Sequence, residues 1–95
     1  MTVGILRITM AVPAYTLKEK RSIVKSVIER LRHRFNASIA EIDDLDDPSR
    51  ATIGAACLSN GSQHADQQVQ SIARAIEAWR LDVEILAIET EVVPL

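Results

Sequence analysis

Residues 17–35, LKEKRSIVKSVIERLRHRF, are where the chain changes its hydrophobic period. Before them, residues 3–12 (VGILRITMAV) are β-branched or aliphatic on both alternating parities and stop at Pro13. That pattern predicts a strand covered on both faces. From Leu17 onward the apolar residues Leu17, Val24, Ile28, Leu31 and Phe35 recur at helical spacing, forming one stripe of a long amphipathic helix with Val27 beside it. Thr16 with Glu19 three residues later is a capping box, and Asn36 is a helix stop.

Working outward, ASIAEIDD (37–44) alternates loosely and turns acidic, the pattern of a short edge strand. LDDPSR (45–50) is a turn, and ATIGAACLSN (51–60) a third strand of small residues. Ser62 is the expected cap of a second helix, whose stripe is Ala65, Val69, Ile72, Ile76 and Trp79. LDVEILAIETEVV (81–93) closes the chain as a fourth strand. The order strand, helix, strand, strand, helix, strand predicts a single α+β domain over residues 1–95. Its arrangement is ferredoxin-like βαββαβ, a four-stranded antiparallel sheet with two helices on one face.

That architecture leaves one sheet face without helices. On the first strand Leu6, Ile8, Met10 and Val12 should face the helices, leaving Val3, Ile5, Arg7, Thr9 and Ala11 outside. On the last strand the outer set is Val83, Ile85, Ala87, Glu89 and Glu91. The middle of this face is too apolar to stand in water. It has no aromatic residue on which a base could stack, so an RNA-recognition sheet is a poor fit. A symmetric homodimer is the expected cover.

Hydrophobic residues make up 47% of the chain, yet only Tyr15, Phe35 and Trp79 are aromatic, so the core is aliphatic. No run approaches the roughly 20 apolar residues of a membrane-spanning helix. The N-terminus lacks the features of a secretory leader, and the lone Cys57 precludes an internal disulfide. The expectation is a cytoplasmic protein with no membrane partner.

Nothing in the pattern announces catalysis. His33 and His64 have no Cys or His at a metal-ligand spacing, Cys57 sits in an apolar strand, and Glu41–Asp47 lacks the glycine and ligand order of a calcium loop. The expectation is a non-enzymatic protein with no metal and no cofactor.

Charge is the more informative feature. The formal net charge is −2, but Lys18–Arg34 holds seven basic side chains against two acidic ones, an excess of +5. Five acids lie between Glu41 and Asp47. At about 100° per residue, Lys18, Arg21, Lys25 and Arg32 project within a sector of roughly 60° on one flank of the stripe. Lys20, Arg30 and Arg34 project on the other. The flank positions Lys18, Arg21 and Lys25 could track a phosphate backbone. The competing reading is a set of solvated side chains snorkelling around a core, partly neutralised by Glu29.

VGILRITM, TLKEKRSIVKSVIERLRHRFNASIAEID, RATIGAACLSN and HADQQVQSIARAIE together resemble the YlxP-like family of small bacterial proteins, a domain of unknown function. Leu17–Ser22 and Arg34–Asn36 carry the most specific part of the likeness. Thr16 stands where the family has a serine, and PAYT (13–16) is less polar than its usual connection. The resemblance implies a ferredoxin-like fold and a cytosolic protein encoded among genes for transcription elongation, translation initiation and ribosome maturation. Some members carry a ribosome-binding-factor label. The combined expectation is an accessory protein that contacts structured or ribosomal RNA through Lys18, Lys20, Arg21, Lys25 and Arg32. The alternative is a homodimeric protein-interaction or small-ligand module that works through its dimer cleft, its basic helix serving self-association, for example against the partner's Glu41–Asp47.

Overall fold

The computed structural model describes residues 1–79 and 82–95. Its elements run β1 (Thr2–Ala11), α1 (Leu17–Arg34), β2 (Ser38–Asp43), β3 (Arg50–Ser59), α2 (Ser62–Ala78) and β4 (Glu84–Pro94). The expected start of the last strand, Leu81, lies outside the described residues. The four strands form one antiparallel sheet in the order β2-β3-β1-β4. The architecture is therefore α+β with βαββαβ topology, β1 and β3 central and β2 and β4 at the edges.

Strand parity follows from burial. Leu6, Ile8 and Met10 of β1 and Ala51, Ile53, Ala55 and Cys57 of β3 are buried beneath the helices. Val69, Ile72 and Ile76 of α2 close the core from above, with Trp79 packed at its edge. An aliphatic interior of this kind gains about 25 cal/mol per Å² of apolar surface removed from water. Gly4 brings α2 close to the sheet. A Cβ there would stand 2.8 Å from the Ala65 carbonyl oxygen and 2.9 Å from Val69 Cγ1, so only glycine lets the helix seat at this depth.

Three local expectations are corrected. The α2 N-cap is Gly61, in extended backbone with no side-chain cap bond, so Ser62 is the first helical residue rather than the cap. On β4, the register shifts between Thr9 and Met10, opposite Leu86. The extra residue reverses parity beyond it. Ile85 pairs with Met10 and, with Val83, packs against the core, so neither belongs to the outer face. Ala87, Glu89 and Glu91 pair with Thr9, Arg7 and Ile5 and keep their outward places.

The third correction concerns α1. Its buried residues are Lys20, Val24, Val27 and Leu31, while Leu17, Ile28 and Phe35 are only half-buried. The core-facing direction is thus rotated by about 40° from the apolar stripe. A lysine occupies the place where a hydrophobic residue would continue the row.

Candidate nucleic-acid interface

The N-terminus of α1 is held as its sequence predicts: Thr16 Oγ1 accepts from the Glu19 backbone N–H at 3.2 Å and donates to Glu19 Oε1 at 3.1 Å. One turn further, Lys20 enters the protein. Its ammonium donates to the carbonyl oxygens of Asp44 (2.7 Å), Leu45 (3.2 Å) and Arg50 (3.3 Å) and lies 2.9 Å from Glu41 Oε2. Lys20 is 0% exposed. A buried ammonium needs a carboxylate and satisfied donors to offset its lost hydration, and this cage supplies both. Lys20 was expected among the phosphate contacts. It is instead an internal cation fastening α1 to the β2–β3 hairpin, with no surface from which to meet a ligand.

The remaining cations of α1 sort by what they touch. Arg30 stacks on Trp79 with its guanidinium carbon 4.1 Å from the ring centroid, and Arg34 lies 5.5 Å from that of Phe35. Both are thereby tied to aromatic faces. Arg32 donates through Nη2 to the Ile39 carbonyl at 2.6 Å, clasping the helix to edge strand β2. Lys18, Arg21 and Lys25 stay exposed on the same flank. The nearest carboxylate to Lys25 is Glu29 at 3.9 Å, and both side chains are more than half exposed. A pair so wet and so long contributes little.

Between this flank and β2 runs a groove of about 300 Å³. Val24, Ile28 and Ala40 give it an apolar lining, Arg21, Lys25 and Arg32 a cationic rim, and Glu29 and Glu41 its acids. The groove exists because of the rotated stripe, which leaves Ile28 half-buried at the surface beside the cations. Of the five predicted contacts, the structure brings Arg21, Lys25 and Arg32 to this groove. It places Lys18 one turn upstream on the same flank and removes Lys20.

The acidic segment is largely occupied within its own hairpin. Asp44 adopts a left-handed backbone (φ 60°) and accepts from Thr52 Oγ1 at 2.7 Å through Oδ2, which also lies 3.4 Å from Arg50 Nε. Asp47 Oδ1 accepts from the Ser49 N–H and hydroxyl, both at 2.9 Å, and these bonds hold its carboxyl below the usual carboxylate range. With Glu41 bound to Lys20, the sequence's charge separation is closed partly inside one chain.

One pairing had no signal in the sequence. Ser59 Oγ lies 2.9 Å from His64 Nδ1 while donating to the Gly61 carbonyl at 3.0 Å. With its proton directed to that carbonyl, Ser59 ties the start of α2 and is not activated as a nucleophile. Burial pushes the Cys57 thiol above its ordinary value, which makes it a poor nucleophile. His33 is exposed on α1. Among the described residues, no three His, Cys, Asp or Glu side chains converge to hold a metal. No described helix is long and apolar enough to cross a membrane.

Fold and site together define a small ferredoxin-like α+β protein with a cationic helix flank set over an edge strand. Residues 3–90 match the family model described as a protein of unknown function (DUF503), and the chain belongs to that family. It is 32% identical over 66 residues to the protein YlxP of Bacillus subtilis (strain 168), an alignment that covers 70% of this chain and 72% of that one.

Proposed function

We propose that this protein is a cytoplasmic, non-enzymatic accessory factor that binds structured RNA, ribosomal RNA included, and works as a homodimer. The contacts are Lys18, Arg21 and Lys25, with the free edge of Arg32 extending them. The observation that carries the reading is the division of labour on α1. Lys20 is buried in its carbonyl cage and Arg30 stacks on Trp79, whereas Lys18, Arg21 and Lys25 point outward with no strong partner. Cations at i, i+3 and i+7 on one helix face suit successive phosphates and carry no base specificity.

Co-sedimentation with purified ribosomes, paired with binding to ribosomal RNA fragments, tests it. Three phosphate contacts should weaken affinity by roughly 40-fold between about 50 and 200 mM salt on a duplex-like target. The triple variant K18E/R21E/K25E should lose binding at every salt concentration while keeping its fold. Wild-type affinity in that variant overturns the proposal.

A further inference from the structure

The helix-free face of the sheet is the second surface without a partner. Ile5 is 39% and Ile42 48% exposed along one depression of this face, with Leu58, 66% exposed, toward its end, apolar surface of the kind that marks a contact site. The face has relief. Val3, Ile5 and Arg7 of β1 form a ridge. Beside it, Ala56 and Gly54 of β3 and Ala40 of β2 floor a trough whose far wall is Ile42, and the trough measures about 340 Å³. Ridge and trough lie in register, since Arg7 pairs with Gly54, Ile5 with Ala56 and Val3 with Leu58.

We infer that this face is covered by a second copy of the same chain, the β1 ridge of each copy lying in the trough beside β3 of the other. The inference rests on the homodimer of the preceding reading and specifies its interface. A twofold axis parallel to the strands, between β1 and β3, exchanges those two strands and preserves height along them. Ile5 of one copy then stands over Ala56 of the other, and Arg7 over Gly54 beside the Ile42 side chain that packs onto that glycine. Large residues meet small ones at the two central levels, while Val3 meets Leu58 toward the end of the face, and both copies use the same patch.

Area agrees with this occupant. Arg7 pairs in register with Glu89 of β4 at the centre of the face, and Glu91 follows toward the sheet edge. Four strands spaced about 4.8 Å apart, most of them some ten residues long, present roughly 600 Å² per copy. Two copies bury about 1,200 Å², the lower limit of a standard stable interface. The helices lie on the far side of each sheet, so pairing leaves both basic flanks outward and free.

Sedimentation equilibrium of the full chain with and without Leu58→Glu, alongside Ala56→Arg, tests the interface. Leu58 is too exposed for its replacement to disturb the monomer, and circular dichroism checks both variants. The expected result is a wild-type dimer that each substitution weakens at least tenfold. A wild-type protein that stays monomeric at about 100 μM, well above the micromolar Kd of a stable complex, overturns both the dimer and its interface. A wild-type dimer that neither substitution weakens overturns the interface alone and leaves the dimer standing.

Discussion

The Lys20 ammonium lies 2.9 Å from Glu41 Oε2, joining the first turn of α1 to the edge strand β2 in the interior of the protein. Oε2 is shielded from water and makes no aligned hydrogen bond, so the contact is chiefly ionic. Three backbone carbonyls complete the ammonium's shell, all from the segment that links β2 to β3 or from the start of β3. The cation thus sets both the seat of the helix and the path of the acidic hairpin. Through the helix it also sets the direction in which Arg21 and Lys25 project.

Removing the lysine leaves a shielded carboxylate and three carbonyls without their donor. Lys20→Ala should cost about 3–5 kcal/mol in chemical denaturation, a large part of a small domain's stability. Glu41→Gln, which spares the three carbonyl contacts but leaves the buried ammonium without its counter-charge, should cost somewhat less, about 2–3 kcal/mol. The double variant Lys20→Met/Glu41→Leu should recover part of the loss by removing both charges. Equal costs for the two single substitutions would show that the carbonyl cage adds nothing.

Gly4 and Gly61 give a contrast within one protein. Alanine at Gly4 meets the Ala65 backbone oxygen at 2.8 Å, an atom that cannot rotate away, so α2 must lift from the sheet. The expected cost is about 1–3 kcal/mol. Alanine at Gly61 meets nothing within 4 Å and suits the extended backbone there, so it should be close to neutral. Thermal melts of the two variants should differ by several degrees, and equal melting temperatures would contradict the close packing of β1 on α2.

The order of elements was legible in the sequence because the period changes cleanly at Leu17 and back again after the helix. The α2 stripe was equally readable, since its members are all apolar: Val69, Ile72 and Ile76 meet one core, Trp79 packs at its edge and Ala65 is buried over Gly4. The α1 stripe misled because its innermost position is a lysine, and charge alone does not reveal a cage built from hairpin carbonyls. That single residue accounts for both the rotated helix face and the loss of Lys20 from the candidate site. The outer face of β4 was misassigned for a different reason: a bulge opposite Thr9 and Met10 leaves no mark in a strand whose residues are apolar on either side of it. Arg21, Lys25 and Arg32 fall beside one groove because helical geometry alone places them on one flank. That Arg32 clasps Ile39 depends on where β2 lies, which no local pattern encodes.

The Asp47 carboxyl titrates below its ordinary value because the Ser49 backbone N–H, then the Ser49 hydroxyl, donate to it. A depressed folded value means that this group's contribution to stability is complete above the unfolded carboxylate's titration. It fades as pH falls through the folded one. Ser49→Ala removes the hydroxyl and keeps the backbone bond, so the Asp47 titration should move upward while staying below that of an unfolded aspartate. Carbon-13 carboxyl shifts followed between about pH 2 and 6 report it directly, a range that brackets an ordinary aspartate. An unmoved titration would mean that the hydroxyl bond is not held in solution.

Glu29 is the acid nearest the proposed phosphate track, 3.9 Å from Lys25 and well exposed. It opposes an approaching phosphate by Coulomb repulsion and competes for the Lys25 ammonium. Its link to Lys25 is too wet to stabilise the helix by more than a few tenths of a kcal/mol. Glu29→Gln should therefore leave stability nearly unchanged and tighten RNA binding on the order of two- to fivefold at low salt, with the gain shrinking as salt screens it. The same substitution in the K18E/R21E/K25E background should have a smaller effect, because the phosphate it would help admit no longer has its cations. A gain of equal size in both backgrounds would point to a change in overall charge rather than to this groove.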